Sequence, residues 1–111
     1  MIDCIFCKII KKEVSSEILR ETEDAVIFKD IRPSAPIHYL IVPKKHIASI
    51  KEISHEDEVL MGHLVHMARE VGDMLNLTGY KLIFNVGKEG GQVIDHVHLH
   101  LLGGWENGSN N

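Results

Sequence analysis

His96-Val97-His98-Leu99-His100-Leu101-Leu102 is the most informative stretch of this 111-residue chain. Three histidines alternate with apolar residues, and a period of two belongs to a strand with one buried face. The imidazoles then share one face, while Val97, Leu99 and Leu101 point into a core. Val93 to Leu102 accordingly reads as the last strand. Placing three polar rings in a row on such a face is costly unless each has a partner or a task. An imidazole, with a reference pKa of about 6.5, acts near neutrality as nucleophile, base or ligand. Two uses fit. In a metal site, His96 and His100 are about 13 Å apart along the backbone, so one ion takes two neighbours but not comfortably all three. On a catalytic face, the middle imidazole attacks an electrophile and its neighbours neutralise charge. The spacing favours the second use, or a mixture of both.

The residues ahead of this stretch extend the picture. Asn85-Val86-Gly87-Lys88-Glu89-Gly90-Gly91-Gln92 reads as a flexible glycine loop that brings backbone amides beside the histidines. Glycine lets such amides turn toward an anion, which suggests a phosphate cradle. Leu60, Leu64, Met67, Val71 and Met74 recur every three to four residues and predict a helix of about five turns. Ser54 and Asp57 resemble an acidic capping box at its start, and Gly79 suits its exit. Its stripe is core or dimer interface. A short helix runs from Cys4 to Lys12, capped by Asp3. Ile18 to Arg20, Ala25 to Phe28, Tyr39 to Val42 and Tyr80 to Val86 read as strands. Pro33 and Pro36 mark a loop. The order helix, strands, long helix, strands predicts an α+β domain with a mostly antiparallel sheet.

Composition narrows the function. Sixteen acids against twelve bases give a net charge of −4, so no general attraction to nucleic acid or an anionic membrane is expected. No apolar run reaches the roughly 18 residues of a membrane span. The N-terminus lacks the basic and apolar stretches of a signal peptide. Two cysteines three apart do not make a disulfide framework, and a cytoplasmic location is expected. Residues 1–105 form one domain, followed by a loose tail, 106–111. Of eight histidines, His55, His63 and His66 fall on or beside the long helix and read as surface residues. Cys4-Ile5-Phe6-Cys7 has the spacing of half a zinc site, and also suits a redox pair or two small buried residues.

Taken together, these motifs resemble the histidine triad (HIT) superfamily. Its signature is histidine-hydrophobe three times over, followed by a hydrophobe. The stretches Phe28-Lys29-Asp30-Ile31-Arg32-Pro33-Ser34-Ala35-Pro36-Ile37-His38 and Ile41-Val42-Pro43-Lys44-Lys45-His46-Ile47 look like the HINT branch, the nucleoside phosphoramidases. So do Gly90-Gly91-Gln92 and Leu102-Gly103-Gly104. The resemblance runs from Ile5 to Gly104. It implies a five-stranded, mostly antiparallel sheet with one long and one short helix, and a homodimer whose sheets join into ten strands. His98 is similar to the family nucleophile, which attacks the α-phosphorus of a nucleotide derivative and forms a nucleotidyl-imidazole. His100 and the Gln92 amide region match groups that bind phosphate oxygens. His38 matches the upstream active-site histidine, Asp30 the acid on the ribose hydroxyls, and Asn85 a residue near the phosphate. Phe6, Ile9, Phe28 and Ile31 match the walls of the base pocket.

The chain departs from the HINT pattern at one position. Serine usually follows Gly-Gly-Gln, and here that residue is Val93. The serine hydroxyl contacts the departing amine, whereas the Val93 backbone amide can still serve the phosphate. The cysteine pair is similar to that of a zinc-bearing subgroup, which implies Cys4, Cys7, His46 and His96 as ligands of a structural zinc ion. No organic cofactor is expected. Three functions follow in order: a purine nucleoside phosphoramidase releasing the monophosphate, a nucleotide-binding regulatory module with weak turnover, and a mononuclear metal hydrolase.

Overall fold

Residues 4–106 are described by the computed structural model. Two helices, α1 (Ile5–Ile10) and α2 (Glu58–Met74), flank five strands: β1 (Ile18–Glu21), β2 (Ala25–Lys29), β3 (Ile37–Pro43), β4 (Tyr80–Ile83) and β5 (Leu99–Gly103). The strands form one sheet in the order β1-β2-β3-β5-β4, and every pairing is antiparallel. The expected cap at Asp3 and the tail beyond Glu106 lie outside the described residues. In what is described, Cys4 caps α1, its sulfur accepting the Cys7 N–H at 3.4 Å.

The sheet is covered on both faces, and this explains its composition. Ala25, Val26, Ile27 and Phe28 of β2 are all buried. Such an unbroken apolar run is what a strand needs when neither face meets water. On one face Leu64, Met67, Ala68 and Val71 of α2 pack over Ala25, Ile27, Ile41, Leu99 and Leu101. On the other, Phe6 and Ile9 of α1 pack over Val26, Phe28, Leu40 and Val42. At six residues α1 is too short to persist on its own. It is held by what it covers.

Several boundaries differ from the sequence expectation. Sheet pairing in β5 begins at Leu99, not Val93; residues 94–96 form a bend ahead of it. Alternation still holds from Val97 onward, with Val97, Leu99 and Leu101 in the α2-side core. Strand β4 ends at Ile83, which releases Asn85 toward the glycine loop. Helix α2 leaves through Asn76 at φ 58°, with the Leu77 N–H reaching the Gly72 carbonyl at 2.9 Å, so Gly79 is not its exit. Asparagine tolerates this left-handed position better than most residues do. Asp57 accepts the Ser54 N–H at 2.9 Å, as expected, but ends a 3₁₀ turn, His55–Asp57, from which α2 continues.

Candidate active site and metal centre

The register of β3 and β5 decides where the histidines meet. His38 lies opposite Leu102, and Leu40 opposite His100. His38 and His100 are therefore diagonal neighbours on the face that α1 covers, and their ring nitrogens are 2.9 Å apart. His98 follows on the same face, its ring 4.9 Å from that of His100. The edge of Phe6, from α1, meets His98 at 5.0 Å and His96 at 5.9 Å. The three histidines do share a face, as their alternation predicts.

Hydrogen bonds fix where each proton sits. A carbonyl only accepts, so His98 Nδ1 donates to the His96 carbonyl at 2.7 Å. Its Nε2 then keeps a free lone pair. At His38, Nδ1 accepts the Ser34 backbone N–H at 3.1 Å. The His38 proton is thus on Nε2 and is donated to His100 Nδ1. His100 in turn carries its proton on Nε2. The result is one ring with a lone pair and its neighbour with an N–H, which is the pairing a nucleophile and an oxyanion donor require.

Burial keeps these rings neutral. It is the largest influence on all three, pushing His38 and His98 below the usual histidine value and His100 to about 4. For His98 the bond to the His96 carbonyl opposes the shift, and for His38 the Asp30 carboxylate does. A base with a depressed folded pKa takes up protons on unfolding. Stability is therefore complete above about 6.5 and falls as pH drops toward about 4. In urea titrations across that window, His100→Gln is expected to unfold with about one proton fewer taken up than wild type. Identical slopes would place the acid sensitivity elsewhere.

Beside the rings is a cavity of about 560 Å³, a volume suited to a small-molecule ligand. Phe6, Ile9, Phe28, Ile31, Asp30, Asn85, Val93, His98 and His100, all expected site residues, line it. Asp30 lies 3.4 Å from His38 Nε2 and accepts the Arg32 N–H at 2.8 Å. Ile31 and Val93 are each 87% exposed at the wall. Ile5, Ser15, Ser16, Lys29, Arg32, Leu40 and Ile94 also contribute, and sequence reasoning missed them. Lys29 and Arg32 were visible as cations flanking Asp30. Ser15 and Ser16 carry no periodic signal and reach the cavity only because α1 folds over the sheet.

Two expected site features behave differently. Gln92 does not line the cavity. Its side chain is buried, donating to the Ala48 carbonyl at 2.7 Å and the Ile94 carbonyl at 2.9 Å, and accepting the Gly87 N–H at 2.9 Å. Its own N–H goes to the Gly87 carbonyl. The glycine loop is not an open cradle either. It closes a 3₁₀ turn, Lys88–Gly90, in which the N–H groups of Gly90 and Gly91 bond within the loop. The Val93 N–H is not among these internal bonds.

On the far side of Phe6, Cys4, Cys7, His46 and His96 converge, their donor atoms all within 4.8 Å of one another. His46 and His96 Nδ1 atoms are 3.1 Å apart, and the sulfur–nitrogen distances are 3.3, 3.4 and 3.7 Å. A tetrahedral zinc ion with ordinary bond lengths needs nitrogen–nitrogen edges of about 3.3 Å and nitrogen–sulfur edges of about 3.5 Å. His96 Nε2 donates to the Pro43 carbonyl at 2.8 Å, leaving Nδ1 unprotonated toward the sulfurs. That outer hydrogen bond is what a metal-bound imidazole makes. Burial and the neighbouring Cys4 raise the Cys7 thiol, and a cation at the centre would reverse this. The donor set fits zinc.

Asp30, His38 and His100 form a second cluster of possible ligands, and it fits less well. His38 accepts at Nδ1 and so is protonated at Nε2, the atom that would have to bind the ion. The triad is thus divided between two places, with His96 turned to the sulfurs and His98 and His100 to the cavity. His55, His63 and His66 stand apart from both, pairing with Glu58, Thr22 and Glu70. No helix among the described residues is long and apolar enough to cross a membrane.

Comparison with known proteins agrees with this geometry. Residues 3–109 match the family model described as the scavenger mRNA decapping enzyme C-terminal binding region. An uncharacterized HIT-like protein of Synechococcus elongatus is 41% identical over 103 residues, which is 92% of this chain and 90% of the relative. The structure of a HIT family hydrolase from Clostridium thermocellum superposes with a TM-score of 0.92 at 43% identity, covering 99% of this chain and 97% of that one. A zinc-bound histidine triad family protein from Mycobacterium smegmatis matches with a TM-score of 0.83 at 25% identity, covering 96% and 78%. The paired strands, the divided histidines and these likenesses agree: the chain belongs to the histidine triad family.

Proposed function

We propose that this chain is a hydrolase of purine nucleoside 5′-phosphoramidates that works through a nucleotidyl-imidazole on His98. The observation that carries the reading is the His98 ring itself. Its Nδ1–H is committed to the His96 carbonyl, so its Nε2 lone pair faces an apolar-walled cavity. In this reading the base lies between Phe6, Ile9, Phe28 and Ile31. The Asp30 carboxylate accepts the ribose hydroxyls, both of which are donors. His98 Nε2 attacks the α-phosphorus and the phosphorus–nitrogen bond breaks. The amine leaves with the bonding pair and takes a proton from water. The phosphorylated ring is an imidazolium whose Nδ1–H still points at the His96 carbonyl. Water then attacks phosphorus and gives up a proton to solvent, the phosphorus–nitrogen pair returns to Nε2, and the monophosphate departs. The His100 Nε2–H and the Val93 N–H donate to the phosphoryl oxygens as negative charge grows there. Asn85 stands near them.

Zinc held by Cys4, Cys7, His46 and His96 has four protein ligands, so it supplies structure rather than an open coordination position. Two copies pairing along β4, where Leu82 and Ile83 are exposed, would form the ten-stranded sheet. Two cysteines that form no disulfide suit a reducing cytoplasm.

The test is intact-protein mass spectrometry after rapid acid-free quenching with an adenylyl-amine substrate. A wild-type population heavier by one nucleotidyl group, mapped to His98, is the expected result. Turnover without any adduct would exclude the covalent route. Val93→Ser is expected to cleave the same substrate severalfold faster, because a hydroxyl would then meet the departing amine. Equal or slower cleavage would remove that role from this position.

A further inference from the structure

We propose that Gln92 is a positioning residue that couples the metal centre to the glycine loop at the cavity wall. The inference rests on zinc binding at Cys4, Cys7, His46 and His96, and not on the phosphoramidase reading. Three backbone segments meet at the Gln92 side chain. Ala48, whose carbonyl receives one Nε2 proton, follows the ligand His46 by two residues. Ile94, whose carbonyl receives the other, precedes the ligand His96 by two residues. Gly87, whose N–H is bound by Oε1, opens the glycine loop. No strand pairing joins these segments. Apart from Gln92, the Val97 N–H to Ile47 carbonyl bond, at 2.7 Å, ties the two ligand segments.

Both donors and the acceptor of this buried amide are in use, and each would be expensive to leave without a partner. The amide thus tolerates only one relative placement of the three segments. A metal ion sets the distance between the 46–48 and 94–96 segments by holding His46 and His96 together. Through Gln92 that distance also sets where Gly87 sits. The loop it opens carries Gly91 at φ 88°, beside the Asn85 side chain, and Asn85 donates to the Gly90 carbonyl at 2.9 Å. Asn85, Gly91 and Val93 all line the cavity. Metal occupancy is in this way transmitted to the wall of the site along four hydrogen bonds, with no metal contact to the ligand in the cavity.

Amide hydrogen exchange on zinc-loaded and zinc-stripped protein tests this without relying on activity. In wild type, stripping is expected to speed exchange at Gly87, Gly90, Gly91 and Gln92 at least tenfold, while the amides of β2 and β3 stay protected. In Gln92→Leu the loop should exchange fast even with zinc bound, and stripping should change it no further. Zinc affinity, read by competition with a chromophoric chelator, should fall about tenfold. Gln92→Glu keeps the acceptor and loses both donors to the carbonyls, so it should weaken zinc similarly if the leucine variant does not fold. Wild-type loop exchange that ignores zinc, or variants that bind zinc at full strength, would overturn the coupling. A wild-type protein that takes up no zinc would remove the metal reading and this proposal with it. Zinc uptake with an unresponsive loop would remove this proposal alone.

Discussion

Replacing His98 by asparagine is expected to lower turnover of an adenylyl-amine by about 10⁴-fold or more, the scale on which deletion of a nucleophile acts. The substitution is chosen for what it keeps. The asparagine amide can still donate to the His96 carbonyl from the place Nδ1 now occupies. The cavity walls, from Phe6 to Phe28, are untouched. Nucleotide affinity should stay within about threefold of wild type, and zinc content should not change, because His98 Nε2 faces the cavity and not the sulfurs. The adduct should vanish along with turnover. Residual activity above a tenth of wild type would mean that water is activated directly and that His98 is no nucleophile. Joint loss of activity and zinc would mean that the two sites are less separate than the ring orientations indicate.

The second large effect is on stability. Changing Cys4 and Cys7 together to alanine should abolish zinc uptake and lower the melting temperature by at least about 10 °C, since losing a structural metal costs on the order of 3 kcal/mol. Three losses combine. The two Nδ1 atoms of His46 and His96, 3.1 Å apart, no longer share an ion. The Cys4 sulfur that accepts the Cys7 N–H disappears from the start of α1. Helix α1 then depends on Phe6 and Ile9 alone for its place. Because Phe6 walls the cavity, KM for a nucleotide should rise more than kcat falls. An unchanged melting temperature, or zinc content equal to wild type, would show that the pair is not a metal site.

Much of this was legible in the sequence because period-two and helical patterns report burial directly. The alternation of Val97, Leu99 and Leu101 placed the histidines on one face, although paired strand begins only at Leu99. The α2 stripe was equally clear, since Leu64, Met67 and Val71 face the core at helical spacing. Glycine is the more usual helix exit and points to Gly79, whereas the left-handed residue is Asn76. The glycine loop differs from its sequence expectation for another reason. Glycine content reveals freedom of the backbone, not where its amides point, and here they bond within the loop. Gln92 was named only for its backbone amide, and the bridging role of its side chain lay beyond reach, because its partners Ala48, Gly87 and Ile94 come together only through tertiary packing. The same holds for Ser15 and Ser16. The divided roles of the histidines were implied by family resemblance, but the proton positions that separate them came from three carbonyl or amide partners no pattern could show.

The span of the metal centre has a consequence for how the molecule is made. Cys4 and His96 are 92 residues apart in sequence. Closing so long a loop is entropically unfavourable until intervening structure has shortened it. During synthesis the cysteines emerge well before the second histidine. An unfinished chain offers a sulfur pair without its distant partner, and two thiolates alone hold an ion weakly. On the proposed zinc reading, firm capture of the ion therefore falls late in folding, and a bound ion would mark a molecule whose two distant segments have already found each other.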